Sequence, residues 1–304
     1  MNLRDLEYVV AVADSAQFGL AAERCGVSQP TLSMQIRKLE EQLGLVLFER
    51  TARGAVPTAA GVEIVAQARV VLDEADRIVT IARWRRSADQ DVLRLGVIPT
   101  AAPYLLPLVL PQVKQMLPRL RLQLREAITE RLLAQIRAMA LDAVVLSPPF
   151  DTVGLLTQTL GREAFLVAMP LDHPLAGKAG LGPVDLAGET VLVLEDGHCF
   201  REQALTLSRQ LHLVPAHEIR AGSIESLRQM VSVGMGCAIL PALAMTGPFA
   251  AGAPVAIRPI EHPGASRELT LVWRRSYPRG ESLRIIAESF SRALGGAAVA
   301  EPAR

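Results

Sequence analysis

Three cysteines stand in this sequence, at 25, 199 and 237, and only Cys199 has neighbours suited to chemistry. It lies in the run Leu194-Glu195-Asp196-Gly197-His198-Cys199-Phe200-Arg201-Glu202-Gln203. Gly197 offers a turn, and His198 and Arg201 can carry positive charge. Phe200, Ala204, Leu207 and Leu211 recur at helical spacing, which puts Cys199 at a helix N-terminus. The unpaired N–H groups of a helix start favour an anion, so a thiolate there is stabilised and becomes a nucleophile or a target for oxidants. The plain alternative is a packed, inert thiol, since free cysteine usually behaves as a small hydrophobe.

The elements that must hold this residue follow from the pattern around it. Val92–Ile98 reads as a strand, Pro99–Ala102 as a turn, Tyr104–Leu117 as a helix, Leu120–Leu124 as a strand, Thr129–Met139 as a helix and Leu141–Leu146 as a strand. Beyond them, segments 163–170, 190–194, 217–221, 237–240 and 255–260 read as strands, with helices after Cys199 and over Ser223–Val233. Alternating strands and helices predict an α/β region with mainly parallel strands, in more than one lobe. Ligands of such sheets sit beyond the carboxyl ends of strands, which singles out Thr100 and Thr129. Each could equally be an N-cap.

Composition sets the outer limits. The chain has 304 residues, half of them hydrophobic, and a formal net charge of +1, enough for two or more domains and too balanced to announce a nucleic-acid partner by charge alone. The start lacks an apolar signal core and no apolar run reaches the roughly 20 residues of a membrane span, so a cytoplasmic protein with no membrane partner is expected. The cysteines show no paired spacing and the five histidines are scattered, so no disulfide scaffold, metal or cofactor is expected. Cys25 falls in a turn and Cys237 at a strand start among small residues; both read as structural.

The N-terminal segment carries a second pattern. Leu3–Ala16 is amphipathic, Phe18–Arg24 is a short helix, Gly26 supplies a turn, and Ser28 and Pro30 open a helix whose buried face is Leu32, Ile36, Leu39 and Leu43. Its other face is Thr31, Ser33, Gln35, Arg37 and Lys38. This spacing fits a helix-turn-helix, whose second helix enters the major groove, or an ordinary amphipathic pair with a solvated face. Thr58 then opens a long helix to Arg86. Ile64, Ala68, Val71, Ala75, Ile78 and Ala82 recur at spacings of four and three, a coiled-coil seam that expects a partner helix from another subunit or, failing that, from its own chain.

Two groups of residues resemble one family. Ala21-Ala22, Val27-Ser28-Gln29-Pro30-Thr31-Leu32-Ser33, Ile36–Glu40 and Leu43-Gly44 with Leu47, Phe48 and Arg50 resemble the winged helix-turn-helix of LysR-type transcriptional regulators. Glu195-Asp196-Gly197-His198-Cys199, with Arg201, Gln203 and Ala204, is similar to the redox motif of the peroxide-sensing members of that family. The resemblance implies an α/β fold with an N-terminal all-α winged helix-turn-helix over 1–58, a linker and dimerisation helix over 59–90, and a two-lobed, periplasmic-binding-protein-like regulatory domain. In that domain 91–162 and 267–304 form lobe I and 163–266 form lobe II, with crossovers near 161–163 and 266–268. Gln29, Pro30, Thr31, Ser33 and Gln35 would face bases or phosphates, Arg4, Arg37, Arg50 and Arg53 would hold the DNA backbone, and Arg53–Pro57 would be the wing.

In the sensor that the resemblance implies, hydrogen peroxide oxidises the Cys199 thiolate. His198 and the helix end stabilise the anion, Arg267 joins from the far crossover, and Thr100 and Thr129 hold peroxide with Gln203 nearby. Promoter DNA, a homodimer grown into a homotetramer and RNA polymerase are the implied partners, and no enzymatic turnover is expected. Ser208 stands where those sensors usually carry a second, resolving cysteine. A hydroxyl has no sulfur to give, so this chain stops at sulfenic acid, accepts a small-thiol cap, or is held in its reduced form. Two other readings stay open: a LysR-type regulator that binds a small metabolite between lobes, and a thiol peroxidase, for which the helix-turn-helix would have no use.

Overall fold

The computed structural model describes residues 1–51, 54–86, 91–245, 254–277 and 280–297. It divides into two compact units, Met1–Arg86 with Arg275–Pro278, and Ser87–Arg274 with Arg279–Arg304.

In the first unit, helices α1 (Leu3–Ser15), α2 (Phe18–Arg24) and α3 (Gln29–Leu43) are followed by strands β1 (Phe48–Thr51) and β2 (Gly54–Pro57) and helix α4 (Ala59–Arg86). The starts of α1, α3 and α4 have polar caps, whereas Gln17 before α2 makes no capping bond. Asn2 and Asp5 form a reciprocal capping box at α1, and the Ser28 hydroxyl accepts the Thr31 amide at 3.3 Å at the start of α3. Gly44, in the left-handed region at φ 69°, ends α3. Val9, Val12, Ala21, Ala22, Leu32, Ile36, Leu39, Leu47 and Phe48 bury together as one core. β1 and β2 pair antiparallel as the wing, and Glu40 fixes its base by accepting the Leu47 amide at 2.7 Å. Thr58 opens α4 by accepting the Gly61 amide at 2.9 Å.

The seam of α4 splits along its length. Ile64, Val65 and Ala68 pack inward, the first two against the helix-turn-helix core, whereas Val71, Ile78 and Val79 are exposed. The first turns of the expected intersubunit seam therefore belong to the chain's own core, because α1 lies against them.

The second unit contains β3 (Asp91–Val97), α5 (Ala102–Met116), β4 (Leu120–Glu126), α6 (Thr129–Arg137), β5 (Ala143–Leu146), β6 (Leu155–Pro170), the short α7 (Pro183–Leu186), β7 (Thr190–Leu194), α8 (Cys199–Gln210), β8 (Val214–Ala221), α9 (Ile224–Ser232), β9 (Cys237–Pro241), β10 (Val255–Pro259), β11 (Ser266–Arg274) and α10 (Gly280–Ala297). Among the described residues the strands form one nine-stranded sheet in the order β4-β3-β5-β11-β6-β9-β7-β8, with β10 on β6. β3, β4 and β5 run parallel to one another, as do β7, β8 and β9, but β6, β10 and β11 pair antiparallel.

The sheet is therefore mixed, and the expectation of mainly parallel strands holds only for its two flanks. The difference comes from β6. Its first half reads Leu-Leu-Thr-Gln-Thr-Leu-Gly-Arg, polar on one face, and pairs with β11. From Phe165 onward the strand is apolar, nearly all buried, and pairs with β9 and β10. One continuous strand thus serves both flanks, where the sequence suggested a strand only from 163. α10 ends at Ala297, and residues 298–304 lie outside the described region.

Candidate functional site

The carboxyl ends of β3, β4 and β5 meet the N-terminus of α8. Gly197, at φ 95°, turns the chain after β7, and a Cβ there would lie 3.2 Å from Ile128 at the β4–α6 junction, so glycine suits both the backbone and the space. His198 is the N-cap residue of α8 and Cys199 its first helical residue, half-buried and free of any disulfide. Phe200 beneath it is buried, edge-on to Phe165 with ring centroids 5.2 Å apart.

The side chains around the thiol come from several elements. Arg267 of β11 is fully buried. It donates from Nε to Glu163 at 2.7 Å, from Nη1 to the Thr100 hydroxyl at 2.8 Å and from Nη2 to the Thr100 carbonyl at 2.9 Å. Its guanidinium also lies 5.3 Å from the centroid of the Phe200 ring, a cation–π contact. Glu163 in turn accepts the Leu243 amide at 2.9 Å. Gln203 donates to the Ser147 hydroxyl and the Pro148 carbonyl, both at 2.8 Å, and so ties α8 to the end of β5. Arg201 is turned away, donating to the Leu194 carbonyl at 2.6 Å and pairing with Asp196 at 3.0 Å. On the same rim the Tyr104 hydroxyl donates to Glu225 at 3.1 Å, and burial beside that carboxylate raises its phenol well above the ordinary range.

Three buried polar atoms in this region have no hydrogen-bond partner among the described residues: Thr129 Oγ1, His198 Nδ1 and Gln203 Oε1. Buried polar atoms are rarely left so, and these three, on the first residue of α6, the N-cap of α8 and the second turn of α8, leave hydrogen-bonding capacity to spare. Burial lowers the His198 imidazole below its usual value, with Glu195 and Glu126 opposing, so at neutral pH the ring is neutral. It offers one N–H and one lone pair, whereas the sequence suggested a cation. Neither threonine is an N-cap. Thr129 is the first residue inside α6, behind Ile128, and Thr100 precedes the α5 cap residue Ala101 and serves Arg267 instead. The ion pair of Arg267 with Glu163 is buried on both sides.

Ser208 lies in the third turn of α8, buried, its hydroxyl donating to the Ala204 carbonyl at 2.7 Å. Cys237 is buried as expected, but its surroundings are not wholly apolar: His173 Nε2 is 3.9 Å from its sulfur and Glu189 completes a cluster with them. No spacing motif marks that trio, whose members are 16 to 64 residues apart in sequence. On the N-terminal unit Arg4, Gln29, Pro30, Thr31 and Arg37 are exposed on and near α3, and Ser33 and Gln35 are half-buried. Thr31 shares its hydroxyl with Ser28 at 2.8 Å. Arg50 lies in β1, its side chain outside what the structure describes, and Arg53 lies outside the described residues.

Comparison with known proteins agrees with this architecture. Residues 3–62 match the helix-turn-helix of the LysR family of bacterial regulatory proteins, and residues 86–294 match the LysR substrate binding domain. The chain is 41% identical over 296 residues, 97% of each protein, to the DNA-binding transcriptional dual regulator OxyR of Escherichia coli K12. It is similar to full-length OxyR of Pseudomonas aeruginosa carrying a cysteine-to-aspartate substitution, at 35% identity over 100% of both chains and a TM-score of 0.61. It is also similar to an H2O2-bound cysteine-to-serine mutant of Corynebacterium glutamicum OxyR, at 32% identity over 97% of this chain and 95% of that one, with a TM-score of 0.63. Among the described residues no helix is long and apolar enough to cross a membrane.

Proposed function

The chain belongs to the LysR family of DNA-binding transcriptional regulators, of the OxyR kind, and on that premise we propose that it reports hydrogen peroxide to promoter DNA through the Cys199 thiol. The observation that carries this reading is the half-buried thiol at the first position of α8, a helix whose N-cap His198 and second-turn Gln203 each carry a buried polar atom without a partner among the described residues. In the chemistry proposed, the thiolate sulfur attacks one peroxide oxygen, the O–O bond breaks, and sulfur loses two electrons to become sulfenic acid. The second oxygen leaves as hydroxide, which the proton released when the thiol ionised converts to water. Thr129, His198 and Gln203 hold the peroxide by hydrogen bonds, and Arg267 acts at one remove, fixing Thr100 and the floor under Phe200. Peroxide is then a signal consumed once per thiol and not a substrate turned over.

The N-terminal unit supplies the DNA contacts, with Gln29, Pro30, Thr31, Ser33 and Gln35 toward bases or phosphates and Arg4, Arg37, Arg50 and Arg53 toward the backbone. Residues 59–90 join subunits, and the two lobes 91–162 with 267–304, and 163–266, carry the sensor. Such a regulator works in the cytoplasm and acts on RNA polymerase at the promoter.

The test is substoichiometric peroxide added to reduced protein, followed by a sulfenic-acid-trapping reagent, mass spectrometry and DNA footprinting. Cys199 is expected to be trapped before Cys25 and Cys237, and Cys199→Ser to lose both the trapped adduct and any peroxide-dependent change in the footprint. First trapping at Cys237, or a peroxide response that survives Cys199→Ser, overturns the reading.

A further inference from the structure

We propose that Cys237, His173 and Glu189 form a site for a divalent transition-metal ion of the zinc class, at the end of the sheet away from Cys199. Cys237 is the first residue of β9, paired with Val191 of β7, and Glu189 immediately precedes β7. His173 follows the end of β6, which runs antiparallel to β9, so the fold brings its ring to the same edge. Cys199 comes after the opposite end of β7, five residues along the strand.

The distances suit coordination. His173 Nε2 is 3.9 Å from Cys237 Sγ and 3.3 Å from Glu189 Oε2, and the three donor atoms all lie within 4.8 Å of one another. A tetrahedral zinc ion with bonds of about 2.3 Å to sulfur and about 2.0–2.2 Å to nitrogen and oxygen holds its sulfur and nitrogen about 3.6 Å apart and its nitrogen and oxygen about 3.4 Å apart. Those two distances are within about 0.3 Å of the tetrahedral values, and the third, sulfur to oxygen, is at most 4.8 Å against about 3.6 Å in the loaded site. Thiolate, imidazole and carboxylate together favour zinc or cobalt over magnesium or calcium, and three protein donors leave a fourth position for water. Burial grades across the site: the Cys237 residue is 1% exposed, the His173 side chain 15% and the Glu189 side chain 34%, so an ion enters from the carboxylate side.

Without an ion, His173 Nε2 lies 3.3 Å from Glu189 Oε2 and 3.9 Å from the Cys237 sulfur, so the imidazole bridges the other two donors. On loading, the S–H bond breaks, its proton passes to water, and a sulfur–metal bond forms with no change of oxidation state. His173 Nδ1 now accepts the Leu175 amide at 3.3 Å, which puts the ring hydrogen on Nε2. Coordination through Nε2 moves that hydrogen to Nδ1 and releases the Leu175 amide.

Equilibrium dialysis of the reduced full-length protein against zinc, and titration with cobalt followed by its absorption spectrum, test the site. The expected result is one metal per chain and a thiolate-to-cobalt charge-transfer band that persists in Cys25→Ser and Cys199→Ser and disappears in Cys237→Ser. His173→Gln and Glu189→Gln, at partly exposed positions where circular dichroism can verify the fold, should each weaken zinc binding tenfold or more and keep the test decisive if Cys237→Ser does not fold. Absence of a thiolate band, a band that follows Cys199 or Cys25, or unchanged zinc affinity in His173→Gln overturns the proposal.

Discussion

Arg267 shows how much of the sensor region hangs on single side chains. Its guanidinium is wholly buried, and what keeps a charge there is Glu163 at 2.7 Å together with two bonds to Thr100. Arg267→Met leaves Glu163 buried and uncompensated and should cost about 3–5 kcal/mol in urea unfolding, whereas Arg267→Met with Glu163→Gln should recover much of it. Equal loss in the single and double variants would mean that packing on Phe200, and not charge, is what matters. His198 gives a second expectation with a defined sign. Because burial lowers its folded-state value below the unfolded one near 6.5, the unfolded chain binds more protons as the medium acidifies. Its contribution to stability is complete above that value and is lost as pH falls below it, and His198→Gln should flatten that part of the stability–pH curve. Part of this scale was legible: the places of Cys199 at a helix start and of Thr100 and Thr129 beyond strand ends follow from local spacing, whereas the buried, neutral His198 does not. The Arg267–Glu163 pair joins residues 104 apart and the His173–Cys237 contact residues 64 apart, and no local pattern encodes either.

Elements were read well where amphipathic period and caps agree, as in α1, α3 and α4, each found within a residue or two of expectation. β6 was half missed because alternating polar residues such as Thr157, Gln158 and Thr159 look like a loop until β11 is there to pair with them. Close approach, likewise, shows only in three dimensions. A Cβ on Gly61 would lie 2.0 Å from the Leu47 carbonyl oxygen. Gly61→Ala must therefore push α4 away from the wing, and a loss on the order of 1–3 kcal/mol is expected in thermal or denaturant unfolding. Helix α8 carries the other element-scale expectation. Cys199 and Ser208 are nine positions apart along one helix, roughly 13 Å at 1.5 Å per residue, while a disulfide needs Cα atoms within about 7 Å. Ser208→Cys should therefore gain a peroxide-driven disulfide only by unwinding α8, read as lost helicity in circular dichroism beside non-reducing mass spectrometry. A disulfide that forms with helicity intact would show that these residues meet by some other movement.

At the scale of the whole molecule the question is what the outer part of α4 is for. Its first turns bury Val65 and Ala68 within the N-terminal unit, but Val71 is 39% exposed, Val79 41% and Ile78 70%, an apolar stripe that the chain leaves to water. A helix of 28 residues has no reason to carry such a stripe on its solvent side unless another surface covers it, and the repeat of three and four matches a second copy of the same helix. Two copies paired along α4 would present two α3 helices to two half-sites, so affinity for DNA should depend on the pairing more steeply than on any one base contact. Ile78→Glu separates this from the alternative that the stripe meets its own chain. In the monomer the new carboxylate would sit in solvent and leave the fold unchanged. In the dimer it would be buried against an apolar neighbour at a cost of several kcal/mol. Sedimentation should show a monomer with unchanged circular dichroism, and titration of promoter DNA should show specific binding largely lost. A stable dimer in Ile78→Glu would remove α4 as the dimerising element, and a monomer that also unfolds would mean that the stripe packs within the chain.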